Sequence, residues 1–155
     1  MAAAGKWKMY ESAKLAFTNG TIDFDSHSFK INLYLSTSNA NTLTAATITQ
    51  LSDITNQVAT NFGYTQNTKA VTITTANSSG TITIDETTNP VWTASGGAIT
   101  ARFAVIYDDS HANDMPIAVC LLDTAPADVT ATDGNTFTIT MNASGILTMS
   151  GAAVD

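Results

Sequence analysis

VWTASGGAITARFAVIYDD occupies residues 91–109. From Ile99 onward, Ile99, Ala101, Phe103, Val105 and Tyr107 alternate with Thr100, Arg102, Ala104 and Ile106, the period of two that a β-strand imposes. The second set is too apolar to face water alone, so cover on both faces of this strand is expected. ASGGA at 94–98 has no following Lys and no helix signal, so it reads as the turn entering the strand and not as a phosphate cradle.

Working outward, the same pattern recurs. In FKINLYLS, Phe29, Ile31, Leu33 and Leu35 alternate with polar or aromatic neighbours. KAVTITTANSSGTITIDE reads as a hairpin in which Val71 and Ile73 answer Ile82 and Ile84 across a turn at Asn77 to Gly80. MPIAVCLLD is apolar on both faces, as an interior strand is. NTFTITMN and GILTMSG supply the last strands. LTAATITQLSDITNQVAT is ambiguous: Leu51, Ile54 and Val58 fit a helical turn or two, while its threonines oppose a long helix. Near the start, Trp7, Tyr10 and Phe17 recur at helical spacing and Asn19-Gly20 supplies a stop, which predicts a helix over 7–17. The expected fold is mainly β, a β-sandwich or jelly roll of roughly eight strands, with an N-terminal helical arm over 1–20 and the sandwich over 21–155.

Composition supports that class. Threonine is about one residue in six, and a β-branched hydroxyl suits a half-buried pleated surface better than a helix. The 155 residues fit one domain with a core of its own. Net charge is −7, with only six Lys and Arg, which opposes binding to nucleic acid or to an anionic membrane. Cys120 is the single cysteine, so no internal disulfide can form. The opening MAAAGKWKMYESAKLAF has lysines within it and no continuous apolar core, so it does not read as an export signal, and a reducing cytoplasm is the expected place of folding.

Two clusters carry candidate chemistry. Asp23, Asp25 and His27 alternate in IDFDSHSF and would point one way in a strand, where they could hold a divalent metal. The other reading is a polar turn whose Asp and Ser side chains bond local backbone, and the lack of a fourth ligand at recognisable spacing favours it. In YDDSHANDMP, Asp108, Asp109, His111, Asn113 and Asp114 could line a cation site. That loop lacks the oxygen spacing of a calcium loop, which leaves a solvated connection as the simpler reading. Cys120 lies among apolar neighbours and reads as a small hydrophobe. No Gly-x-Ser-x-Gly elbow is present, and no catalytic residue, metal or cofactor is assigned. Arg102 is read as pairing with a carboxylate at a strand edge or an interface.

Four stretches, in order, carry a resemblance: KWKMYESAKLAFTNGTIDFDSHSFKINLYLS, SDITNQVATNFGYT, VWTASGGAITARFAVIYDD and TFTITMNASGILTMS. Together they resemble a group of small virion proteins of tailed bacteriophages, in which a Lys/Trp/Tyr helix leads through Gly-x-Ile-Asp-x-Asp into a first strand. After FGYT, QNTKAV stands where that group has a more Gly-rich turn. The resemblance implies a capsid decoration (cement) protein on the outer face of the virion shell, made in the bacterial host cytoplasm, with the major capsid protein and further copies of itself as partners. Such a clamp needs a low-charge surface and extended edges for strand addition. The interface residues this implies are Trp7, Tyr10 and Phe17, with Trp92 and Arg102 as packing or interface anchors. The alternative for the three N-terminal aromatics is that they cap the domain's own sheet. Other functions consistent with the residues are a tail or head–tail connector component, and a metal-dependent carbohydrate-binding domain using Asp108, Asp109, Asn113 and Asp114.

Overall fold

Alternation builds most of this chain, and the computed structural model describes residues 2–3, 5–44, 46–123, 128–142 and 145–150. The expected sandwich limit at 155 lies outside the described residues. In chain order the elements are β1 (Ala2–Ala3), β2 (Lys8–Met9), α1 (Glu11–Thr18), β3 (Phe29–Tyr34), β4 (Lys69–Val71), β5 (Ile73–Ser78) and β6 (Thr81–Glu86). They continue with β7 (Val91–Thr93), β8 (Ile99–Ala101), β9 (Phe103–Asp108), β10 (Met115–Leu121), β11 (Val129–Ala131), β12 (Thr136–Thr140) and β13 (Leu147–Ser150). The fold is mainly β, with one α-helix and several sheets.

The core sheet has five antiparallel strands in the order β2-β10-β9-β3-β4. Its middle is apolar on both sides. All six residues of β9 and five consecutive residues of β10, Pro116 to Cys120, are buried. Both strands are doubly covered, as the sequence requires of MPIAVCLLD and of the second face of 99–107. Three smaller sheets surround it: β1-β12-β7, β11-β8 and β13-β6-β5.

The 99–107 strand is not continuous. It breaks at Arg102, where Ile99–Ala101 pairs with β11 and Phe103–Asp108 joins the core sheet. The Arg102 N–H donates to Tyr34 O at 2.8 Å and its carbonyl accepts from Leu122 N at 3.1 Å. The chain therefore passes between two sheets without leaving its backbone groups unpaired, a corner made by a bend. This split, the short strands β1 and β2, the separation of β4 from β5 and the added β11 together raise the number to thirteen among the described residues from the eight expected.

The helix is shorter than its aromatic spacing predicts. It starts at Glu11, because Tyr10 holds extended backbone (φ −64°, ψ 147°). Lys8–Met9 instead pairs with Val119–Ala118 at the edge of the core sheet. The reason is visible in the residues: Lys6, Trp7, Lys8 and Met9 alternate polar and apolar, which a two-residue strand satisfies as well as a helix does. Once formed, α1 buries Ser12, Ala13 and Ala16, small residues that let it lie close to the sheet. Its end is a Schellman cap: Gly20 sits at φ 79°, its N–H bonding Phe17 O and the Thr21 N–H bonding Ala16 O.

The ambiguous stretch after Leu43 forms only a single 3-10 turn, Leu51–Asp53. The Asp53 carboxylate accepts from Thr49 N at 2.9 Å and Gln50 N at 3.0 Å, and these bonds hold it below the ordinary carboxylate range. The hairpin exists, but its register differs from the expected one. Ser79 and Gly80 both have positive φ (50° and 80°), a two-residue type I′ turn. Ile73 therefore faces Glu86, Thr75 faces Ile84 and Asn77 faces Ile82, while Val71 belongs to β4 and pairs with Phe29. No helix among the described residues is long and apolar enough to cross a membrane.

Candidate functional site

The two polar clusters legible in the sequence meet in space. Beyond the helix the chain turns at 23–27 and delivers His27 to the end of β9. There His27 Nδ1 lies 2.6 Å from Asp108 Oδ2. Asp108 is fully buried, while a quarter of the His27 side chain is exposed. The second carboxylate oxygen, Oδ1, accepts from Ser110 N at 2.9 Å. Ser110 Oγ in turn accepts from Ser28 N at 2.8 Å, and Asp109 N donates to Ser28 O at 2.9 Å. Lys30 Nζ closes the same region with a 2.7 Å contact to Asp109.

A buried carboxylate must be paired to be tolerated, and this knot does that. Asp23 turns inward on its own segment: Oδ1 accepts from Asp25 N at 2.9 Å and Oδ2 from Ser26 Oγ at 2.6 Å. These bonds, the Ser26 hydroxyl foremost, hold the Asp23 carboxyl below its usual range. The 23–27 stretch is thus the polar turn that Asp and Ser favour. His111 Nδ1 accepts from Asn113 N at 3.3 Å, and Asp114 adopts φ 48°. No three of the His, Cys, Asp and Glu residues among those described are grouped to hold a metal ion. The 107–116 connection is only partly solvated, since Tyr107 and Asp108 at its entrance are buried. The knot ties turn to sheet; it does not aim its oxygens at a common centre.

The five aromatic and cationic residues singled out from the sequence separate into two groups. Trp7 (7 % exposed), Tyr10 (0 %) and Trp92 (5 %) are buried in this chain's own core. Tyr10 donates its hydroxyl to Ala40 O at 2.6 Å, and burial, with Tyr34 adding to it, pushes the phenol far above its ordinary pKa. Trp92 packs between Tyr64 at 5.8 Å and Phe137 at 6.2 Å, with Lys69 Nζ over its ring at 5.3 Å. Phe17 and Arg102 are half-buried. Of the expected arm, Trp7, Met9, Tyr10, Ala13 and Ala16 belong to the same apolar cluster as the sheet residues. Cys120 is buried mid-strand, and burial pushes its thiol well up, which keeps it protonated and unreactive.

Two surface features escaped sequence reasoning. The first is an open groove of about 410 Å³ whose lining includes the apolar Phe17, Ile22, Phe24, Ile82 and Met149, with Thr75 and the carboxylates Asp23 and Asp25. It lies between the end of α1 and the face of the β13-β6-β5 sheet, and Phe17 and Phe24 meet there at 5.5 Å. Its only advance signal is Ile82, an apolar residue in a Thr-rich hairpin. The second is Phe62, 38 % exposed and held at φ 52°. Gly97 lies under its ring so closely that a Cβ there would fall 2.4 Å from the ring carbons, and Ser95 N donates to Phe62 O at 3.1 Å. FGYT and ASGGA, far apart in sequence, are thus one surface. A bulky residue at positive φ is costly backbone, so the fold holds this aromatic outward at a price.

No protein family, curated protein or solved structure matches the chain. The arrangement therefore has to be read from its own chemistry. His27 with Asp108 and Lys30 with Asp109 hold one another, and the uncharged features that face outward are a Thr-rich strand, the apolar part of a groove edged by Asp23 and Asp25, and one propped aromatic.

Proposed function

We propose that this chain is a bacteriophage capsid decoration protein, bound to the outer face of the major capsid protein shell. The observation that carries the reading is the ordered run of four sequence stretches, spanning nearly the whole chain, that resemble such proteins. Two physical features support it. Of the residues that looked most like a metal-binding constellation, Asp23 is tied to its own turn, His27 and Asp108 to each other, and Asp109 to Lys30. The apolar side chains of the outward-facing groove, which Asp23 and Asp25 edge, and the exposed Phe62 offer contact area of the kind that protein partners cover.

Charge points the same way. A chain of net −7 is repelled by packaged nucleic acid and favours the outside of a shell. Repetition over a lattice turns modest contacts into tight attachment. Mass spectrometry of purified virions tests the proposal: the chain should be present in hundreds of copies. A handful of copies, or a ring at one vertex in place of a distribution over the shell, rejects it.

A further inference from the structure

The open edge of the β13-β6-β5 sheet has an unusual design. β5 is six residues long and forms the edge, with Thr74 to Ser78 all exposed. Every other edge strand among the described residues has four residues or fewer. Short edges are one of the ways proteins prevent strand-to-strand association; charged residues, prolines and bulges are others. β5 uses none of them. From Ala70 to Ile84 there is no charged residue and no proline, and its pairing with β6 runs without a register shift.

The phase of its hydrogen bonds is fixed. Ser78 and Thr81 flank the two-residue turn and are the narrow, doubly bonded pair of such a hairpin. Farther along, Thr87 N donates to Thr72 O at 3.2 Å. Even-numbered residues therefore direct their backbone groups at β6, and Ile73, Thr75 and Asn77 direct theirs outward.

We infer that β5 pairs antiparallel with β5 of a second copy of this chain, across a twofold axis at Thr75. That register matches outward groups to outward groups: Thr75 faces Thr75 of the other copy, and Ile73 faces Asn77. Every pair is neutral. For two molecules of net −7, the Ala70–Ile84 hairpin brings no charge of its own to the seam, which favours a second copy over a partner that must supply basic residues, while Asp23 and Asp25 in the adjoining groove oppose tight association. The twofold axis is perpendicular to the sheet, so the two grooves beside Thr75 lie on the same side and form one continuous trough. Six-residue edges bury less than a standard interface, so the dimer is weak in solution. This pairing is a property of the isolated chain, whether or not it decorates a shell.

Sedimentation equilibrium of the full chain up to about 1 mM should show reversible dimerisation. Thr75→Pro removes the outward N–H and none of the N–H groups that bond β6, the edge position at which a strand tolerates proline. It removes both bonds of the central pair and should weaken association roughly 10- to 100-fold. Thr75→Glu, at an exposed position, sets two carboxylates across the axis beside the Asp23 and Asp25 that line the groove, and should do the same without touching the backbone. A monomer at all concentrations overturns the inference. So does a dimer that survives both substitutions, and so does binding of β5 only to a different protein.

Discussion

Replacing Tyr10 asks whether the N-terminal aromatics belong to the core or to a detachable arm. Its side chain has no exposed surface and its hydroxyl donates to Ala40 O at 2.6 Å. Tyr10→Phe keeps the ring and leaves that buried carbonyl without its donor, a loss of about 1–3 kcal/mol. Tyr10→Ala also empties the ring's volume, and a buried aromatic cut back to Ala costs about 3–5 kcal/mol. For a chain of this size each kcal/mol moves the melting temperature by roughly 2–4 °C. The alanine variant should therefore melt roughly 6–20 °C below the parent and the phenylalanine variant by a smaller part of that. Differential scanning calorimetry measures both, and urea titration should give the same ranking from shifted midpoints with unchanged slope. An alanine variant melting within about 1 °C of the parent would refute the reasoning. It would mean that Tyr10 leaves the core at little cost and is free to anchor elsewhere.

Three more outcomes follow from the described contacts. His27→Ala leaves the Asp108 carboxylate buried with only Ser110 N as a donor, and chemical denaturation should record a loss of about 1.5–3 kcal/mol, with His27→Gln recovering part of it. Gly63→Ala should destabilise by at least about 1–3 kcal/mol, since φ is +86° and a Cβ would fall 2.0 Å from Thr93 O; parent-like stability would show that this loop is not held against β7. Burial raises the phenols of Tyr10, Tyr34, Tyr64 and Tyr107 above their ordinary value. The unfolded chain releases these protons near pH 10 while the folded chain keeps them. Stability should then be complete below about pH 10 and fall as pH rises above it. Tyrosinate absorbance should appear together with unfolding; a gradual rise in a chain that remains folded would contradict the burial.

What was legible in the sequence is what alternation and turn chemistry encode locally. FKINLYLS, MPIAVCLLD and NTFTITMN became strands because period two with an apolar face has few other solutions. SSG gave a hairpin, yet two positive-φ residues moved its register away from the one that apolar matching alone predicts. KWKMYESAKLAF satisfies strand and helix periods at once, and only the free edge of β10 decides that Lys8–Met9 is a strand. Nothing near Arg102 marks the passage between sheets. The His27–Asp108 contact joins residues 81 apart, a distance over which side-chain type names candidates without naming partners. Phe62 and the Phe17–Met149 groove were missed for the same reason: each is assembled from segments with no common period.

The pairing of β1 with β12 has a consequence for synthesis. Ala2 lies opposite Ile139 and Gly5 N bonds Leu121 O at 2.9 Å, so the segment around β1 and β2 is made long before the strands it pairs with. Closure over such separations is slow because loop entropy is spent before contact rewards it. A nascent chain stalled before β10 would leave β9 as an open edge and Lys8–Met9 without its partner strand, a six-residue row of unpaired backbone groups that invites pairing with another chain.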